Sequence, residues 1–109
     1  MQQGMVLLVE DDPVLRGTVR ELLEADGHRV IAARNGAEAH ACLEREIPRV
    51  IVLDLFMPVA GGWDFASRVR GLGLEAIPVI LFSGSPDVER EARRIGAARW
   101  LKKPCAPDV

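Results

Sequence analysis

RVIVLD, residues 49–54, sets the reading of the whole chain. Val50, Ile51 and Val52 are three consecutive β-branched residues, the densest such run in the sequence, and they favour a strand. A strand is therefore expected over Arg49–Leu53, and the unbroken apolar run after Arg49 suits one covered on both faces. It ends on a carboxylate, Asp54. The same design recurs on either side. MVLLV (residues 5–9) precedes it and PVILF (78–82) follows it, while Arg29–Ala33 and Arg99–Lys102 are further strand candidates.

Amphipathic stretches separate these runs. Asp12-Pro13 reads as a helix N-cap and first helical position, followed by Leu15, Val19, Leu22 and Leu23 at helical spacing and a stop at Gly27. Asn35-Gly36 opens a second helix with an Ala-rich inner face, expected to run to about Glu46 before Pro48. A third is expected from about Trp63 to Arg70, before Gly71 and Gly73. A fourth starts at Ser85-Pro86-Asp87, with Val88, Ala92 and Ile95 on one face, and stops at Gly96. Strand–helix alternation with near-continuous apolar strands predicts an α/β fold, a doubly wound five-stranded parallel sheet. The order 2-1-3-4-5 is the expectation for that class.

Composition narrows the function. The 109 residues suit one domain, 1–109, and 49% of them are hydrophobic, enough for a core without staples. A formal charge of -2 with no basic stripe argues against direct nucleic-acid binding. No apolar stretch approaches the roughly 20 residues that span a bilayer, and MQQGMVLLVEDD lacks the layout of a secretory signal. Cys42 and Cys105 have no metal-ligand spacing, so a cytoplasmic protein with plain thiols is expected.

In open α/β sheets ligands bind beyond the carboxyl ends of the strands. The residues following the apolar runs are Glu10, Asp11 and Asp12 after the first, Asp54 after the third, Ser83 after the fourth and Lys103 after the fifth. With neighbouring strands roughly 4.8 Å apart, these side chains converge on one cleft. Three carboxylates there (Glu10, Asp11 and Asp54) call for a cation. Two like charges about 4 Å apart repel by roughly 4 kcal/mol at an effective dielectric of 20. Hard oxygen ligands suit Mg²⁺, or Mn²⁺ in its place. Lys103 adds a point charge and Ser83 a hydroxyl donor. Together these groups suit stabilisation of a transferring phosphoryl group, with Asp54 as its acceptor. Asp12 is most economically the helix cap rather than a ligand.

Four segments, LLVEDDPVLR, VIVLDLFMPVAGG, PVILFSGS and WLKKP, resemble in order and spacing the receiver domain of two-component response regulators, a flavodoxin-like fold. The resemblance implies that Asp54 is the phosphoacceptor and that Glu10 and Asp11 form the acidic pair. It also implies that the Phe56 backbone carbonyl completes the metal site. Ser83 and Trp100 then correspond to the switch residues, and Lys103-Pro104 to a cis peptide. It further implies phosphoryl transfer from a sensor histidine kinase or a phosphotransfer protein. A changed surface around the fourth helix and fifth strand would then be read by an effector domain or downstream protein. Trp100 stands where the family usually has Tyr or Phe. The side chain of Phe56, two residues past the acceptor, is expected to screen the phosphoryl site from water. The family's fifth helix has no room before Val109, so that helix is expected to be missing or truncated and dimerisation through it is in question; a domain trimmed from a longer regulator is one reading.

Three other functions are weaker. A haloacid-dehalogenase-like phosphatase wants an acid two residues after the nucleophile, where Phe56 stands. A flavin binder wants a Ser-, Thr- and Gly-rich phosphate loop, and EDDP would repel phosphate. A pseudo-receiver acting only as an interaction module has no need of the intact acid pair, acceptor, serine and lysine. The expectation is therefore a signalling domain and not an enzyme with turnover on an external metabolite.

Overall fold

A computed structural model describes residues 4–54, 62–74, 76–84 and 86–102. Strand β1 (Met5–Val9) is buried along its whole length, as its unbroken apolar sequence requires. It lies between β2 (Arg29–Ala33) and β3 (Val50–Leu53), and β3 is followed by β4 (Val79–Ser83) and β5 (Arg99–Lys102). The order is β2-β1-β3-β4-β5 and every pairing is parallel, matching the doubly wound expectation. The register sets Leu7 beside Ile31 and Ile51, and Leu53 beside Val9 and Leu81.

Alternation along the strands divides the core in two. Met5, Leu7, Val9, Ile51, Leu53 and Leu81 point to one face. There they meet α2 (Gly36–Leu43), α3 (Gly62–Gly71) and α4 (Val88–Ile95) through Ala39, Leu43, Phe65, Val69, Val88 and Ala92. Val6, Leu8 and Val30 point to the other, against Val19 and Leu23 of α1 (Pro13–Ala25). The described residues carry four helices; the question of a fifth falls on residues outside them.

Helix ends follow local chemistry. Asp12 caps α1, its Oδ1 accepting from the Val14 N–H at 2.9 Å and the Leu15 N–H at 3.3 Å, with Pro13 in the first turn. Asn35 caps α2 by accepting from the Glu38 N–H, while the Glu38 carboxylate accepts from the Arg34 N–H at 2.9 Å. Gly96 ends α4 at φ 74°, a left-handed position that costs glycine little.

Several boundaries differ from expectation. Helix α2 ends at Leu43, not Glu46. Its exit tightens into Glu44 N–H to Ala41 and Arg45 N–H to Cys42 bonds, and Glu46 instead clasps Arg29 through two hydrogen bonds. Its inner face is less alanine-rich than expected: Gly36, Ala39 and Leu43 are buried, while Ala37 and Ala41 are exposed. Leu22 is 67% exposed, because α1 is rolled to seat Val19 and Leu23, leaving Leu22 at the stripe's edge. Strand β4 starts after Pro78, which has no N–H for the ladder, and runs on through Ser83.

Replacing Asp12 by Ala is expected to lower stability by about 1 kcal/mol, read from the urea midpoint at unchanged m-value. The hydrogen bond from the Arg34 backbone N–H holds the Glu38 carboxyl below its ordinary value of 4.5. A depressed folded-state value stabilises above the unfolded value and is lost as pH falls through the folded one. In urea titrations the stability gap between the wild type and Glu38→Gln should therefore be full well above pH 4.5 and close as the pH falls below it.

Candidate functional site

The carboxyl ends of β1 and β3 bring three acids together. The Asp54 N–H donates to the Val9 carbonyl and the Glu10 N–H to the Ala33 carbonyl, both at 3.0 Å, so the parallel ladder holds each acid one step past its strand. Glu10 is 1% exposed and Asp54 3% exposed, and Asp11 beside them is half-buried. One carboxylate oxygen from each of Glu10, Asp11 and Asp54 lies within 4.8 Å of the other two.

The turn after β1 is fixed from within. Glu10 Oε2 accepts from the Asp12 N–H at 3.1 Å, which aligns its carboxylate with the turn. Arg16, one turn into α1, donates through Nη1 to the carbonyl of Glu10 at 3.0 Å and to that of Asp11 at 3.3 Å. Sequence reading gave Arg16 no role. Its signal is its spacing: four residues after the cap Asp12, it returns over the turn that α1 has just left.

The donor set is oxygen throughout, partly buried and concentrated in negative charge. At 4–5 Å, like charges repel by roughly 3–4 kcal/mol per pair at an effective dielectric of 20, which a divalent cation would turn into attraction. These are the hard ligands that Mg²⁺ takes, and they fit the ion. Asp12 stands apart, its carboxylate committed to the helix cap.

Ser83 is fully buried and ends β4 opposite Lys102 of β5. Its Oγ donates to Glu91 Oε1 on α4 at 3.4 Å. Glu91 is itself only 9% exposed and was also missed from the sequence. The helical stripe of Val88, Ala92 and Ile95 contains position 91, and a carboxylate there is the signal. Trp100 pairs with Leu81, so it shares the sheet face that α4 covers, yet it is 42% exposed. Phe56, Lys103 and Pro104, with the expected cis bond, lie outside the described residues.

The family model described as the response regulator receiver domain matches residues 6–109. The chain belongs to that family. It is 38% identical over 111 residues to an uncharacterized 14.6 kDa protein of Leptolyngbya boryana, covering 98% of this chain and 84% of that one. It is 45% identical over 106 residues to a protein-glutamate methylesterase/protein-glutamine glutaminase 3 of Hahella chejuensis, covering 94% of this chain and 30% of the relative. It is 32% identical over 110 residues to the alginate biosynthesis transcriptional regulatory protein AlgB of Pseudomonas putida, covering 97% of this chain and 24% of the relative. The receiver thus spans roughly a quarter to a third of those two longer relatives. Among solved structures, the chemotaxis protein CheY4 of Vibrio cholerae superposes with a TM-score of 0.85 at 32% identity, covering 98% of this chain and 92% of that one. Among the described residues no helix is long and apolar enough to cross a membrane.

Because Arg16 orients the residues that supply two of the three acids, Arg16→Met is expected to weaken Mg²⁺ binding about tenfold in calorimetry, whereas Asp12→Ala should leave it nearly unchanged.

Proposed function

We propose that this receiver is a phosphoacceptor whose acceptor is Asp54. The observation that carries the reading is the placement of Asp54 at the end of β3, 3% exposed, with its carboxylate within 4.8 Å of those of Glu10 and Asp11. A carboxylate so placed has a fixed direction of attack and little water around it, which favours an acyl phosphate over its hydrolysis.

In the step, an Asp54 Oδ attacks phosphorus in line with the leaving group. A new P–O bond forms as the P–N bond to the phosphohistidine of a sensor kinase or phosphotransfer protein breaks. The imidazole nitrogen leaves with the electron pair and takes up a proton from solvent. With acetyl phosphate as donor the bond broken is P–O, and acetate leaves. Mg²⁺, held by Glu10, Asp11, Asp54 and the Phe56 carbonyl, would supply positive charge against the phosphoryl oxygens. The Lys103 ammonium and the Ser83 hydroxyl supply the remaining donors. The chain promotes its own phosphorylation and dephosphorylation and turns over no external metabolite. The result would be passed to an effector domain or downstream protein in the cytoplasm through the surface of α4 and β5, which carries Trp100.

With Mg²⁺ and acetyl phosphate, intact-mass spectrometry is expected to show the gain of one phosphoryl group, lost in Asp54→Asn. Lys103→Ala should slow the gain by about 100-fold, the scale for removing one donor to a developing negative charge. Persistence of the gain in Asp54→Asn would move the acceptor elsewhere. No gain and no Mg²⁺ binding in the wild type would leave an interaction module.

A further inference from the structure

Glu91 is a carboxylate on the buried side of α4, 9% exposed, on the same stripe as Val88 and Ala92. Taking a carboxylate out of water is costly unless polar partners meet it, so a glutamate here needs a reason. Among the described residues its partner is Ser83, whose Oγ donates to Glu91 Oε1 at 3.4 Å, near the long limit of a hydrogen bond. Ser83 ends β4 with no exposed surface, one strand over from Asp54.

A serine hydroxyl carries one proton and donates it in one direction at a time. A phosphoryl oxygen on Asp54 and the carboxylate of Glu91 are therefore alternative acceptors for it. Phosphorylation also adds negative charge to the cleft that Ser83 borders. Once Ser83 turns to the phosphoryl group, Glu91 has lost that donor while a new anion stands beyond the serine. Both changes raise the cost of keeping Glu91 where it is, and both are relieved when it moves towards water. Helix α4 has only eight residues, so a displaced Glu91 has a short element to carry with it.

We propose that Glu91 is a resting-state latch. It is a positioning residue that holds the Ser83 hydroxyl on the α4 side, and its release couples phosphorylation of Asp54 to movement of α4. This rests on the phosphoacceptor reading of the site. Coupling of this kind is reciprocal: whatever weakens the latch strengthens the site's hold on a phosphoryl group.

The test is a double-mutant cycle on the whole chain, with beryllium fluoride and Mg²⁺ as the probe and calorimetry as the readout. Glu91→Ala, which removes both acceptor and charge, is expected to tighten binding about tenfold, the scale of a hydrogen bond to a charged group. Glu91→Gln is close to isosteric and keeps an acceptor without the charge; it should tighten binding by a smaller factor and guards against a folding defect in the alanine variant. In a Ser83→Ala background the gain from Glu91→Ala should shrink, most of it having passed through the serine. Wild-type binding that neither Glu91 variant tightens would overturn the latch alone, as would a gain that survives undiminished without Ser83. A wild type that binds no beryllium fluoride and gains no phosphoryl mass would overturn the latch together with the reading beneath it.

Discussion

The hydrogen bond from the Asp54 N–H to the Val9 carbonyl joins fold to site. It continues the β1–β3 ladder one step past Leu53 and turns a pairing driven by apolar burial into a fixed position for a carboxylate. β1 is wholly buried, and Ile51 and Leu53 of β3 have almost no exposed surface. Burying such side chains favours folding by about 1.5–3 kcal/mol each, enough to hold like charges together at the rim. The acids do not assemble the site by attraction; the core behind them holds them in place against repulsion.

Much of this was legible in the sequence because the central strands are so apolar. MVLLV and Arg29–Ala33 came out with the observed bounds, and the run ending at Leu53 placed Asp54 at a strand end. Asp12-Pro13 announced its cap because both residues act locally. What stayed hidden depended on partners distant in sequence. The clasp between Glu46 and Arg29 sits just past the end of α2, and nothing near Leu43 signals it. The roll of α1 that exposes Leu22 is decided by which strands it covers. Ser83 was expected just after β4 and instead occupies its last position, because the pairing with β5 runs on to set it beside Lys102.

Glu91 and Arg16 went unread for a different reason. Each is a charged residue within a helix, and such residues are ordinarily solvated. The tertiary structure shows Arg16 returning over the Glu10–Asp11 turn, which its spacing from the Asp12 cap allows, and Glu91 pointing at Ser83. A charged residue interrupting an apolar stripe is the one sequence cue that marks the latter, and it becomes informative once the stripe's spacing is counted.

The Arg29–Glu46 clasp lies at the opposite end of the sheet from the acids. Arg29 is paired with Met5, and the Arg49 N–H donates to the Met5 carbonyl, so three connections gather at that end. Four residue steps of a strand, roughly 13 Å, lie between Met5 and Val9. Over that distance mutational effects usually add independently. The length of β1 thus acts as a spacer between the part of the molecule that can be altered for robustness and the part that must keep its geometry. Sequence drift, or an engineer, can work on the first without disturbing the second.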